Sequence, residues 1–329
     1  MRKAKVRWAR AITVGAGRWS LAAAASALSL PVGHAAHALS IAPTFDSTIT
    51  SDPNAAGIEG VINTVINTYE TDFTDPITVT INFREMTSGL GQSNTWFYDL
   101  RYSSFITALH ADAKSADDAT ALGLLPIQLT NPVTGSSIIN VKTAEIRALN
   151  ITGSFPSGLP GGYDGLIGLN THFTDIGSPG TTGQYSLLSV VEHEIDEVLG
   201  LGSDLPGGGF FANPAPEDLF RYDSSGNRSY TTNSAAKAFF SIDGTSDLAQ
   251  FDNQNDGGDF GDWQSNPLPS GVQPQVQDAF ATPGAHPTLG VELRALDVIG
   301  YDLATPEPAS LALLGTALAG FGAIRRRRR

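Results

Sequence analysis

The sequence predicts an α+β domain built on a twisted mixed sheet, and three features predict it. Residues 54–69 repeat apolar side chains at three- and four-residue spacing, as an amphipathic helix does. Residues 77–83 alternate apolar and polar, the pattern of a half-buried strand. Beyond a second strongly patterned helix, at 184–199, the chain turns irregular and rich in Gly, Asp and Asn. Strands and a helix on one side of that segment, with an irregular half on the other, make an α+β order, and no internal repeat is visible.

The elements follow in order. Residues 40–49 read as a strand, with Phe45 and Ile49 set among Thr and Ser. The 54–69 helix carries Ile58, Val61, Ile62, Val65, Ile66 and Tyr69 on one face, and Asp75-Pro76 ends the helical run. After the 77–83 strand, helical patterns cover about 98–113 and 116–123. Residues 144–151 and 166–169 read as strands, the second following the turn Gly161-Gly-Tyr-Asp-Gly165. In the 184–199 helix Leu187, Leu188, Val191, Ile195, Val198 and Leu199 form the buried stripe, and Gly200 or Gly202 is the expected C-cap.

The ends read as addresses, leaving residues 39–304 as one domain. Arg2, Lys3, Lys5, Arg7, Arg10 and Arg18 form a basic leader without an acidic residue; an apolar run and Ala36-His37-Ala38 complete a signal peptide over 1–38. At the other end, 305–329, Pro306-Glu307-Pro308 precedes an apolar stretch and five arginines, Arg325 to Arg329. The apolar stretch is short for a stable span, which needs about 17–25 residues, and its arginines would stay cytoplasmic. This tail resembles the PEP-CTERM sorting signal of Gram-negative bacteria. The resemblance implies recognition by an exosortase, transient inner-membrane anchoring, and delivery to the cell surface or biofilm matrix. Eleven of the 20 Lys and Arg lie in the two ends, against one of the 33 Asp and Glu, so the domain between them carries about −23. That charge excludes nucleic acid as a natural partner and favours solubility and divalent cations. With no cysteine, an exported domain must rely on its core and on bound ions rather than on disulfides.

The 184–199 helix also carries the chemistry. His193-Glu194-Ile195-Asp196-Glu197 stands one residue away from the His-Glu-x-x-His signature of zinc proteases, with Glu197 in place of the second His. Residues four apart share a helix face, so His193 and Glu197 are placed to hold one metal ion. Glu194 is then placed as general base for a water. A carboxylate keeps a ligand at that position but adds negative charge, making the metal a poorer Lewis acid. The competing reading is a solvated acidic face of Glu192, Glu194, Asp196 and Glu197. Asp252 to Asp262 opens like a calcium loop, but Trp263 stands where position 12 requires Glu, and a solvated turn is its alternative. His110 and His172 read as surface or core residues, and Asp218, Arg221 and Tyr222 as a hydrogen-bonded structural turn.

Residues 40–303 further resemble PEP-CTERM-tagged, metzincin-like metalloproteases of the zincin type. The resemblance rests on 186–203, Glu217-Asp-Leu-Phe-Arg-Tyr222, Phe240-Ser-Ile-Asp-Gly244 and Leu293-Arg-Ala-Leu-Asp-Val-Ile-Gly-Tyr301. It implies a zincin fold in which an upper strand and the signature helix line the cleft. The chain departs from the pattern at Glu197, at Ser203 where metzincins place a His, and in having no downstream Met, Met86 being the only one besides Met1. Similar proteins carry Ser-His-Trp where this chain reads Gly261-Asp262-Trp263, which makes Asp262 the implied third ligand; Asp204, Asp259 and His286 are the alternatives. A site of one His and two carboxylates admits zinc, manganese or calcium. Two functions follow as expectations: a surface-exported peptidase acting on protein or peptide, or a catalytically inactive protease-like fold kept for binding at the surface.

Overall fold

A computed structural model describes residues 39–176, 183–205, 213–253 and 256–304. The elements are β1 (Ser40–Phe45), α1 (Ser47–Thr50), α2 (Ala55–Asp72), β2 (Thr78–Glu85), β3 (Gly91–Thr95), β4 (Phe97–Arg101), α3 (Tyr102–Asp112), α4 (Ala116–Gly123), β5 (Ile138–Lys142), α5 (Thr143–Ala148), β6 (Gly165–Leu169), β7 (Thr174–Asp175), β8 (Tyr185–Ser186), α6 (Leu187–Leu199), β9 (Arg221–Tyr222), β10 (Phe239–Phe240), β11 (Ala249–Gln250) and α7 (Val291–Gly300). This is a mixed α+β structure. The signal segment 1–38, the tail 305–329 with its apolar stretch and membrane anchoring, and part of the 252–262 loop lie outside the described residues. Among the described residues no helix is long and apolar enough to cross a membrane.

The main sheet has the order β1-β2-β6-β3. β1, β2 and β6 run parallel, with Phe45 beside Phe83 and Phe83 beside Ile167. β3 runs antiparallel to β6 along the sheet's edge, with Ser93 opposite Ile167. The alternation in β2 buries Val79, Ile81 and Phe83 on one face. Helix α2 buries Ile58, Ile62, Val65, Ile66 and Tyr69 of its predicted stripe, with Val61 half-buried, and packs against β1 and α6. Helix α6 packs against α2, β3 and β6. Gly165 is what lets α6 lie close to β6, since a Cβ there would stand 2.4 Å from Val198 Cγ2.

Helix α2 runs on to Asp72 and β2 to Glu85, and four other boundaries differ from the sequence reading, each for a local reason. The first strand stops at Phe45 because Asp46 caps a short helix, accepting from Thr48 N at 2.8 Å. Residues 97–101 are strand, not helix, because they pair with β5, Tyr98 opposite Val141. Residues 143–148 are helix α5, not strand. Thr143, Ala144, Glu145, Ile146 and Ala148 are all buried there, so no exposed stripe marks its period. Helix α6 starts at Leu187 because Tyr185 and Ser186 pair with Thr174 and Asp175, and Ser186 Oγ accepts from Ser189 N. Its C-cap is Gly200, while Gly202 holds a φ of 128°.

Candidate metal centre

Helix α6 sets the centre. Lys142 Nζ donates to the carbonyls of Glu197 at 2.6 Å and Leu201 at 2.5 Å, neutralising the helix's C-terminal end. His193 and Glu197 lie one turn apart, with His193 Nε2 3.7 Å from Glu197 Oε1. Asp262 arrives from the irregular half, its Oδ1 3.8 Å from the same Nε2. One ligand atom from each of these three residues lies within 4.8 Å of the others. Two ligands bound at about 2.1 Å with tetrahedral angles would stand about 3.4 Å apart, so the two sides that meet at His193 Nε2 need only slight contraction to hold an ion.

The approach of Asp262 depends on bare backbone. A Cβ on Gly261 would meet Gly202 Cα at 2.5 Å and Ser203 N at 2.7 Å, so the loop lies directly on the chain leaving α6. Arg221 anchors the loop from below. Its guanidinium donates to Asn253 Oδ1 at 2.7 Å and to the Phe260 carbonyl, and stacks 3.9 Å over Phe251. Asp218 is the hub of a structural turn, accepting from Ser203 Oγ, Asp204 N and Ala215 N. Glu292 ties the other side, accepting from Trp263 Nε1 at 3.0 Å and Gln277 N at 3.1 Å.

The hydrogen bonds around the three residues orient them. His193 Nδ1 lies 3.1 Å from the Val276 carbonyl, which fixes Nδ1 as the donor and leaves Nε2 aimed at the carboxylates. Ser93 Oγ, on β3, donates to Glu197 Oε2 at 2.6 Å, leaving Oε1 toward His193. Gln277 Nε2 donates to Asp262 Oδ1 at 2.9 Å and lies 3.3 Å from His193 Nε2. Ser93 and Gln277 carry no motif in the sequence; each sits in an unremarkable polar stretch.

The acidic face of α6 is not solvated. Glu192 is 4 % exposed, Glu194 5 % and Asp196 0 %. Buried carboxylates are costly unless paired. Tyr69 OH bonds Asp196 Oδ1 at 2.7 Å. Burial, then the charge of Glu292, pushes Glu192 up to about 8. Burial alone would lower His193, but Asp262, Glu197 and Glu194 more than offset it and hold its pKa well above the usual value. Burial raises Glu197 too, but the His193 cation, Lys142 and Ser93 outweigh it and bring Glu197 down to about 2. With Glu197 taking the ion pair, burial dominates at Asp262 and pushes it well up. Glu194 is likewise pushed well up, by burial and then by the charge of Glu197. Its carboxylate rests against Gly91, where a Cβ would stand 2.2 Å from Oε1, and its Oε2 is buried without a hydrogen-bond partner.

A cleft of about 460 Å³ opens onto His193 and Glu194 and is walled by Leu90, Val276 and Phe280. The other candidate third ligands have partners of their own, although Asp259 lies near enough for its charge to act on Asp262. Asp204 accepts from Asn140 Nδ2, Asp259 accepts from Gly261 N within its own turn, and His286 stands 3.7 Å from Asp175. His110 bonds the Leu125 carbonyl.

Residues 304–329 match the PEP-CTERM protein-sorting motif. That motif implies processing by an exosortase and export to the cell surface in Gram-negative bacteria. No curated protein and no solved structure matches this chain.

Proposed function

We propose that this protein is an exported, metal-dependent peptidase of the zincin type, with His193, Glu197 and Asp262 as metal ligands and Glu194 as general base. The observation that carries the reading is the convergence of those three ligand atoms within 4.8 Å, beside a cleft that reaches His193 and Glu194. A divalent cation bound there supplies the Lewis acidity that activates a water and polarises a peptide carbonyl. The chain's own groups do the rest. His193 offers Nε2 because Val276 holds Nδ1. Glu194, carried one residue further along the helix and lining the cleft, is in its ionised form placed to take the water's proton and hand it to the leaving amine.

Strand β3 suits an extended substrate. Asn170 N donates to Leu90 O at 2.8 Å, so by antiparallel alternation the backbone groups of Gly91, Ser93 and Thr95 face away from β6, toward the side on which β3 pairs with no strand among the described residues. Leu90 and Gly91 line the cleft, and an exposed edge accepts a peptide as an added strand. The second reading, a non-catalytic surface binding protein, is favoured by one feature: two carboxylates stand where the zincin pattern has imidazoles, weakening the Lewis acid.

The test is metal content by elemental analysis of the protein and of His193→Ala and Glu197→Ala, with hydrolysis of an unstructured peptide followed in parallel. About one zinc or manganese per chain, lost in both variants, is expected. Glu194→Gln is expected to keep the metal and lose about 10²–10⁴-fold in turnover. Metal bound without any hydrolysis selects the binding protein, and no stoichiometric metal with unchanged stability in the variants overturns the centre itself.

A further inference from the structure

Gln277 occupies a position that the three-residue centre leaves unexplained. Its side chain is 0 % exposed, and its Nε2 lies 2.9 Å from Asp262 Oδ1 and 3.3 Å from His193 Nε2. These are two of the atoms that face one another across the centre. The other end of the amide, Oε1, is buried with no hydrogen-bond partner. An orphaned buried carbonyl costs about 1–3 kcal/mol, and a residue fully inside the protein is not expected to carry that cost without a use.

A cation within this triangle would face the NH₂ group of Gln277 at close range, an arrangement electrostatics forbids. The backbone of the residue is tied in place. Its N–H is held by Glu292 Oε1 at 3.1 Å and its carbonyl by Trp263 N at 2.8 Å, so the backbone is fixed on both sides. A half-turn of the amide meets the cation without moving that backbone, and the two ends of an amide have the same size and shape. After that turn Oε1 stands where Nε2 did. Beside Asp262 Oδ1, an oxygen in that place is repelled unless a cation stands between them or His193 Nε2 donates a proton to it.

Resting on the metal-centre reading above, we propose that Gln277 is a fourth ligand, its amide oxygen joining His193, Glu197 and Asp262 on a hard divalent cation. Three oxygens to one nitrogen is a donor set suited to manganese more than to zinc. The chain thereby compensates for its missing histidines with oxygen donors, and the centre prefers a different metal from that of the His-Glu-x-x-His pattern.

The experiment titrates Mn²⁺ and Zn²⁺ into the purified protein and into Gln277→Met and Gln277→Glu, with affinity as the readout. Methionine keeps the length and removes the oxygen; glutamate keeps an oxygen ligand and removes the N–H that bonds Asp262. As a ligand, Gln277 gives a Met variant weakened for Mn²⁺ by about tenfold or more, a Glu variant at least as tight as the parent, and a Mn²⁺/Zn²⁺ preference that falls in the Met variant. If the Glu variant weakens as much as the Met variant, Gln277 only clamps Asp262 and the proposal fails. Unchanged affinity in the Met variant also overturns it, while leaving the three-residue centre intact. A parent protein that binds neither ion removes both. Should a variant not fold, a crystal structure of the Mn²⁺-loaded parent decides: Gln277 Oε1 at about 2.0–2.6 Å from the ion supports the ligand role, and Nε2 still on Asp262 refutes it.

Discussion

Replacing Ser93 by alanine tests whether the centre is held in place by its surroundings. Ser93 sits on β3, the last strand of the main sheet among the described residues, and its hydroxyl donates to Glu197 Oε2 at 2.6 Å. That bond presents Oε1 to His193, 3.7 Å away. A hydrogen bond to a charged group contributes about 1.5–3 kcal/mol. Glu197 retains some access to water, with 19 % of its side chain exposed, which argues for the lower end of that range, about 1.5 kcal/mol or roughly a tenfold weaker metal affinity. An independent route gives the same order: loss of an outer hydrogen-bond partner of a metal ligand costs about 10–100-fold in affinity. The assay is competition for Zn²⁺ or Mn²⁺ between the protein and a fluorescent chelator at neutral pH. Ser93→Thr, which keeps the hydroxyl, serves as the rescue. Ser93 helps hold the Glu197 carboxyl down near 2. Protons should therefore compete with the metal at a higher pH in Ser93→Ala than in the parent. Affinity within twofold of the parent, with urea unfolding unchanged, would refute the idea that β3 orients the ligand.

Two further outcomes are expected. Glu192 rises from 4.5 to about 8 on folding, so its contribution to stability is complete below about pH 4.5 and is lost as pH climbs through 8. Glu192→Gln should therefore flatten the fall of unfolding free energy between pH 5 and 8 by about 1.4 kcal/mol per unit; parallel urea curves for parent and variant across that range would mean the group is ionised in the fold. Gly261→Ala forces a Cβ into the backbone of Gly202 and Ser203. It should cost about 1–3 kcal/mol by overpacking and weaken metal binding by displacing Asp262, and wild-type values in both denaturation and metal titration would show that the loop can retreat freely.

Much of the scaffold is legible in the sequence because it is local. The stripe of α2 and the alternation of β2 are periodic signals that burial then uses unchanged, with Ile58, Ile62, Val65 and Tyr69 inside as their spacing requires. Segments without a period misled: α5 is buried on nearly every side chain, and β3, reading Gly-Gln-Ser-Asn-Thr, has no apolar alternation although its Gly91 lines the cleft. The solvated-face reading of Glu192, Glu194 and Asp196 failed for a related reason, since a helix packed on several sides by α2, β3 and β6 has little solvent side to offer.

The candidate centre divides along the same line. His193 and Glu197 are read from the chain because 3.6 residues per turn places them together whatever the rest of the protein does. The sorting motif at 304–329 is likewise written in order along the chain, because it is read as a linear signal. Asp262 entered the sequence reading only through a resemblance, and Ser93 and Gln277 not at all. Nothing local brings them near residue 193. Asp262 is delivered by the contact of Gly261 with Gly202, Ser93 by the pairing of β3 with β6, and Gln277 by its ties to Glu292 and Trp263. Each of those contacts joins segments distant in sequence, and only packing of the whole domain, which no periodicity encodes, sets the distances at which these side chains meet.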